Sequence, residues 1–146
     1  MKPVLSALGL LNALGNNKTE VLANLLAGSA PGMQPQAGWI DGADRWVGAV
    51  NDSLPAVPAT LAAFNCRNNQ LLLAALAQIK SDIDEAITVF GRDRIGVVIG
   101  SSTSGIAEGE AALAEKMHHG VWPADYHYRQ QEIGSPAEFL ARFLEL

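Results

Sequence analysis

The sequence predicts an α/β fold, in which helices and buried strands alternate along a single chain of 146 residues. Apolar residue types make up 49% of the chain and charged types only 17%, a composition that excludes intrinsic disorder. Soluble domains usually contain about 25% charged residues, so we expect a partner or further chain to cover apolar surface here. The predicted elements, in the order βα, β, α, βα, α, include few strands for so much apolar helix face, which favours part of a larger α/β protein.

The N-terminal segment is predicted to form a strand followed by a capped helix. Residues 4–11 are mostly apolar, and we interpret them as a buried strand rather than a signal peptide because Pro3, Ser6 and Gly9 interrupt the apolar stretch over residues 3–14. A capping box follows, in which Asn17 caps the first helical turn and Glu20 reaches back. Gly28 supplies the left-handed stop. The apolar face predicted for this helix consists of Leu22, Leu25 and Leu26.

The middle of the chain is predicted to contain a loop, a short strand and a long helix. Residues 29–45 are rich in glycine, proline, alanine and glutamine, which is typical of a loop, and residues 46–51 are predicted to be the short strand. The long helix covers residues 69–90, with Asn65 or Asn68 as its cap.

The last third contains the clearest strand pattern of the sequence. Residues 94–100 form an uninterrupted run rich in β-branched side chains, a pattern that predicts a parallel strand buried on both faces. A helix follows over residues 106–119, and residues 121–134 are predicted to be a polar, aromatic loop. The final helix begins at Ser135 as cap, with proline and glutamate at the following positions. No stop signal precedes Leu146, which again favours part of a larger protein.

Charge and cysteine content exclude several classes of function. The net charge is −5 and no run of lysine or arginine occurs, so we expect no nucleic-acid partner. No segment reaches the roughly 18 apolar residues of a membrane span, and we expect a cytoplasmic protein. The single cysteine, Cys66, excludes an intrachain disulfide framework, and with three histidines it makes a closed zinc site untenable. We predict no metal and no cofactor.

Residues 100–105 form the most suggestive junction between a predicted strand and a predicted helix. Their small hydroxyl side chains and the free helix amides suit an anion or a carbonyl oxygen. The segment is not a nucleophile elbow, because Ser104 stands where that motif requires glycine. It is not a phosphate-binding Walker loop either. The alternative interpretation is a tight turn with serine caps.

Few other residues carry a chemical signal. Cys66 lies near a helix start beside Arg67, which can lower a thiol pKa, but no base is placed to activate it, and a small half-buried residue is the better interpretation. His118 and His119 point about 100° apart on a helix and do not form a chelating pair. His127 is expected at the surface. A solvated helix face is predicted for Asp82, Asp84 and Glu85.

Taken together, four segments resemble β-ketoacyl-acyl-carrier-protein synthases. Residues 8–17 (LGLLNALGNN) are similar to the G-[LI]-[GV]-x-x-x-x-G-N opening of that family, and residues 20–28 to its first helix with the glycine stop. Residues 94–101 (RIGVVIGS) resemble its R-[IV]-G-[LV]-[IV]-x-G-[ST] strand. Residues 135–146 resemble the helix that precedes the nucleophile strand. The ordered set covers nearly the whole chain.

The resemblance implies a partial thiolase-like fold, the N-terminal half of an α-β-α-β-α sandwich truncated before the nucleophile strand. Residues 1–146 would be an incomplete ketosynthase-like domain. The family condenses an acyl group, held on a cysteine, with malonyl on acyl carrier protein, and two histidines assist. None of these catalytic residues lies in this chain, since Cys66 is in the wrong segment and no histidine matches. The resemblance places Ser101, Ser102 and Thr103 at the acyl pocket and dimer interface, with Thr103 at the acyl gate.

Three functions follow as alternatives. The first is the N-terminal portion of a ketosynthase in fatty-acid or polyketide synthesis, inactive alone, whose partners are acyl carrier protein, acyl and malonyl thioesters, and a homodimer or heterodimer mate. The second is a non-catalytic ketosynthase-like partner of the chain-length-factor type. The third is a small α/β module that binds an anion at residues 100–105. The family usually has a glycine-rich run there, so the hydroxyl-rich turn suggests a polar or polyunsaturated acyl chain.

Overall fold

The computed structural model describes residues 2–146 and contains five α-helices and one antiparallel hairpin within them. The helices are α1 (Lys18–Leu26), α2 (Arg67–Ala77), α3 (Lys80–Phe90), α4 (Ile106–His119) and α5 (Ser135–Leu144). The strands are β1 (Met33–Ile40) and β2 (Ala43–Gly48), and short 3-10 helices cover Ala59–Phe64, Arg92–Arg94 and Tyr128–Gln130. The chain divides into two compact units, one of residues up to 54 with 74–82, the other of Pro55–Leu73 with Ile83–Leu146.

In the first unit, Asn17 is confirmed as the N-cap of α1, whereas the Glu20 side chain reaches back to the Asn16 amide rather than to the amide of Asn17. The Asn17 side-chain oxygen accepts from the Glu20 amide at 3.0 Å, and the Glu20 carboxylate accepts from the Asn16 amide at 2.8 Å. Gly28 has the expected positive φ of +64°. The predicted apolar face of α1 is wrong. Leu22, Leu25 and Leu26 are each more than half exposed, and the buried residue of this helix is Val21.

The hairpin of the first unit corrects two predictions at once. Residues 29–45 are not a loop, since they contain β1, and β2 begins at Ala43 rather than at residue 46. Asp41 and Gly42 form the two-residue turn that joins the paired residues Ile40 and Ala43, and Gly42 has a φ of +75°. Asp-Gly is a strong hairpin signal because the turn requires positive φ.

The predicted strand at residues 4–11 is wrong, because no described strand pairs with this segment, half of whose residues are exposed. Part of its backbone is satisfied by a side chain instead: Gln78 accepts from the Leu10 amide and donates to the Leu10 carbonyl, both at 3.1 Å. The Gln78 amide nitrogen also donates to the carbonyls of Asn16 and Ala74. The predicted helix over 69–90 breaks at the same place, where the amides of Gln78 and Ile79 bond three residues back.

In the second unit, α4 has the predicted bounds, and Gly120 ends it at φ +77°. Residues 94–100 do not form the predicted buried strand, and Val98 is 94% exposed. A strand requires a hydrogen-bonded neighbour, and within residues 2–146 none lies beside this segment. The extended conformation at Ile95 (φ −109°, ψ 127°) is the part of the prediction that stands.

The C-terminal helix α5 forms the main apolar layer of the second unit. Phe139 is fully buried, and its ring lies 5.9 Å from that of Phe64. Ser135 is the first helical residue rather than the predicted cap, and its hydroxyl lies 3.3 Å from the Glu132 carboxylate. The helix ends at left-handed Glu145. The carbonyls of Leu144 and Glu145 accept from the guanidinium of Arg92, which lies 52 residues before Leu144 in the sequence. Because this contact is not local, no local signal predicted the end of the helix.

Candidate functional site

The turn formed by residues 101–105, here called the 101–105 turn, has a strained but well-bonded backbone. The Ser101 hydroxyl oxygen accepts from the Ser104 amide at 2.8 Å, and the Thr103 carbonyl accepts from the Ile106 amide at 3.1 Å. Ser104 has φ +45°, a region that non-glycine residues occupy only when their surroundings hold them there. The Ser104 hydroxyl is buried and has no hydrogen-bond partner in the described chain.

The three predicted site residues lie together on this turn. Ser102 and Thr103 are exposed, and Ser101 is half-buried. The predicted use of free amides for an anion is limited, because the Ser104 amide is already bonded to Ser101. What the turn presents outward is therefore the hydroxyls of Ser102 and Thr103.

Gly105 is the point at which the turn meets the rest of the second unit. A methyl group on its α-carbon would lie 2.7 Å from Cys66 Cβ and 2.9 Å from Cys66 Sγ, and closer still to the Gln130 carbonyl oxygen. Those distances are below any real side-chain contact, so only glycine allows this approach. Sequence reasoning singled out Cys66 and Gly105 separately, and the structure brings them into contact.

Cys66 is a buried packing residue. It is 2% exposed, and burial raises the pKa of its thiol. The nearby Glu108 carboxylate also raises this pKa, whereas hydrogen bonds from the amides of Asn69 and Asn68 lower it in part. These amides belong to the first turn of α2. Cys66 therefore occupies the capping position of the helix, for which Asn65 or Asn68 was predicted. A buried thiol of raised pKa lacks the thiolate character that nucleophilic catalysis needs.

Gln130 was missed by sequence reasoning. It is 7% exposed, and its side chain bonds to three backbone groups: its oxygen accepts from the His127 amide at 2.9 Å, and its nitrogen donates to the carbonyls of Asn65 at 2.9 Å and Asp125 at 3.3 Å. No local sequence pattern marks Gln130, since its partners at Asn65 and Gly105 lie far from it in the chain. Gly109 faces the side chain of Gln131.

The remaining candidates have local roles. His127 Nδ1 accepts from the Arg129 amide at 3.1 Å and caps the short helix that follows it, and His119 lies 3.4 Å from Glu115. The exposed residues include Asp82, Asp84, Glu85, His118 and His119. In residues 2–146 no group of three histidine, cysteine or acidic side chains could hold a metal ion, and no helix is long and apolar enough to cross a membrane.

Comparison with solved structures shows which known fold this chain resembles. A chain in the structure of the ketosynthase ApeO in complex with its chain length factor ApeC, from Xenorhabdus doucetiae, matches with a TM-score of 0.89 and 49% sequence identity. The match covers 96% of this chain and 36% of that chain. This chain has a ketosynthase-like fold. Its helices and strands form part of a thiolase-type fold, as the sequence resemblance implied, and it spans about a third of the length of the matched chain.

No family model and no curated protein sequence matches the ketosynthase-like chain. At 49% identity the structural match nevertheless extends over nearly every described element.

Proposed function

We propose that this chain is the N-terminal portion of a β-ketoacyl-acyl-carrier-protein synthase, with residues 1–146 as an incomplete domain of a longer cytoplasmic protein. The observation that carries the proposal is the match at 49% identity over 96% of the chain. Exposed apolar side chains support it: Leu5 and Val98 lie in extended segments that the sequence pattern predicts as strands. Residues beyond this chain would supply their sheet neighbours.

The proposed reaction is a decarboxylative condensation. A cysteine outside this chain carries the acyl group as a thioester, and malonyl on acyl carrier protein loses carbon dioxide to form a carbanion. The carbanion attacks the acyl carbonyl carbon, a carbon–carbon bond forms, and the cysteine thiolate leaves. Two histidines outside this chain assist. The burial and raised thiol pKa of Cys66 agree with its having no part in this chemistry.

This chain would contribute the wall of the acyl pocket, near the interface with a homodimer mate or a ketosynthase-like partner. The 101–105 turn presents the hydroxyls of Ser102 and Thr103 outward, with Ser101 holding the backbone beneath them. Hydroxyls favour a polar or polyunsaturated chain over a plain alkyl chain, because an alkyl chain would leave them without hydrogen bonds. The acyl chain could belong to fatty-acid or polyketide-type synthesis.

Thr103 provides the direct test of the acyl-gate role. Thr103→Phe in the native-length protein is expected to shift products toward shorter chains, because the ring would fill pocket space. Thr103→Val keeps the size and removes only the hydroxyl, so it should change the preference for polar chains and leave length unaltered. Thr88→Phe, at an exposed threonine of α3, is the control. Unchanged product length in Thr103→Phe would reject the role.

A non-catalytic partner of the chain-length-factor type is the second candidate, and the match to a ketosynthase–chain-length-factor complex favours it equally. Sequencing the gene beyond codon 146 separates the candidates. An in-frame T-A-C-x-[ST] segment followed by two histidine motifs supports the ketosynthase. Continuation without that cysteine supports the non-catalytic partner. A stop codon at that point would instead favour the small anion-binding module.

A further inference from the structure

We propose that Gln130 is a positioning residue that fixes the 101–105 turn and thereby sets the acyl-chain preference of the protein. The second half of this statement rests on the proposed function. The first half rests only on contacts within the second unit. Gln130 itself does not lie on the turn, and it acts through its backbone carbonyl, which contacts Gly105.

The side chain of Gln130 holds its own backbone in place. Its oxygen accepts from the His127 amide, and its nitrogen donates to the carbonyls of Asn65 and Asp125. Asn65 lies directly before Cys66, whereas Asp125 and His127 belong to the segment after α4. The buried side-chain amide of Gln130 therefore links its own segment to Asn65, which lies 65 residues earlier in the sequence. These bonds leave the backbone carbonyl of residue 130 little freedom to move.

The turn is enclosed between this carbonyl and Cys66. Gly105 contacts both groups, and there is no space for even a methyl group between them. Ser104, the preceding residue, has φ +45°, a conformation that persists only when its surroundings hold it. A displacement of residue 130 therefore frees Gly105, and with it the hydrogen bonds of the Ser104 and Ile106 amides that close the turn.

Two substitutions remove the hydrogen bonds and leave the size of the side chain nearly unchanged. Gln130→Glu replaces the amide nitrogen with an oxygen that faces the carbonyls of Asn65 and Asp125. Gln130→Met removes all three bonds without adding a charge, and it serves if Gln130→Glu does not fold. Gln131→Glu is the matched control, because the neighbouring side chain contacts Gly109 and not the turn.

The first readout is hydrogen exchange of the peptide covering residues 100–107 in the native-length protein. Loss of the bonds of Gln130 should speed exchange at the Ser104 and Ile106 amides by about tenfold, since each lost hydrogen bond changes an opening equilibrium by roughly two- to tenfold. Gln131→Glu should leave this peptide unchanged. Unaltered exchange in a folded Gln130 variant would overturn the proposal.

The second readout is the chain length of the products made by the protein together with its partner. Faster exchange with a shift in product length supports the proposal, and faster exchange with unchanged product length overturns its second half. If the wild-type protein and its partner do not condense acyl and malonyl thioesters, the proposed function fails. The exchange experiment alone then decides whether Gln130 positions the turn, so the two failures are distinguishable.

Discussion

Gly105→Ala tests the close packing at the 101–105 turn with a single methyl group. The new carbon would lie 2.7 Å from Cys66 Cβ, where ordinary contact begins at 3.4 Å. It would also overlap the Gln130 carbonyl oxygen, a backbone atom that cannot rotate away. The backbone at Gly105 (φ −96°, ψ 46°) is open to alanine, so the cost comes from crowding and not from the dihedral angles.

The expected loss of stability follows from two opposing effects. Overpacking a well-filled site costs about 1–3 kcal/mol. Replacing glycine by alanine recovers about 0.4–1 kcal/mol by reducing the freedom of the unfolded chain. We therefore expect Gly105→Ala to lower the free energy of unfolding by about 1–2 kcal/mol, measured by urea denaturation of the native-length protein.

Gly109→Ala is the matched control, one helical turn further along α4. The new methyl group there would meet the far end of the Gln131 side chain, which can swing aside. Alanine is also favoured over glycine inside a helix by about 0.8–1 kcal/mol. We expect this variant to be as stable as wild type or more so. Equal losses in the two variants, or a stable Gly105→Ala, would refute the description of residue 105 as enclosed.

Two further predictions concern a helix cap and a pH dependence. Asn17→Ala should cost about 1 kcal/mol of stability by removing the cap of α1, whereas Lys18→Ala, at an exposed neighbour, should cost little; similar losses in both would contradict the capping role. The Glu138 pKa is lowered chiefly by the hydrogen bond from Arg129, so Glu138→Gln should be less stable than wild type at pH 7, and this difference should shrink as the pH falls below the ordinary glutamate value of 4.5. Urea denaturation across this pH range measures the difference, with Glu110→Gln, at an exposed glutamate of α4, as the matched control; a difference that stays constant as the pH falls would contradict the prediction.

The sequence predicted those elements whose signals are local. The N-cap at Asn17 and the bounds of α4 depend on residues a few positions apart, and both are present in the structure. The sequence did not predict the hairpin although Asp41-Gly42 signals it, because the glycine and proline residues around that pair are also typical of a loop. The strand predicted at residues 94–100 failed for a different reason, since pairing depends on distant chain segments that local pattern cannot supply.

The candidate site divides in the same way. Serine and threonine in the 101–105 turn were visible as a pattern, and their position was inferred from family resemblance. The role of Gln130 was not visible, because a glutamine in a polar loop has no signal of its own. Its burial and its bond to Asn65, 65 residues away, exist only in the folded chain.

The contrast between residue 98 and residue 105 shows how the turn can be well defined beside an unpaired segment. Val98 is 94% exposed, and within residues 2–146 no strand pairs with its segment. Gly105, seven residues later, is buried because its contacts come from Cys66 and Gln130 within the same unit. The conformation of the turn is thus determined by nearby packing and not by completion of the sheet. Under the proposed function, residues beyond this chain would therefore supply the catalytic groups without reshaping the pocket wall that the turn would provide.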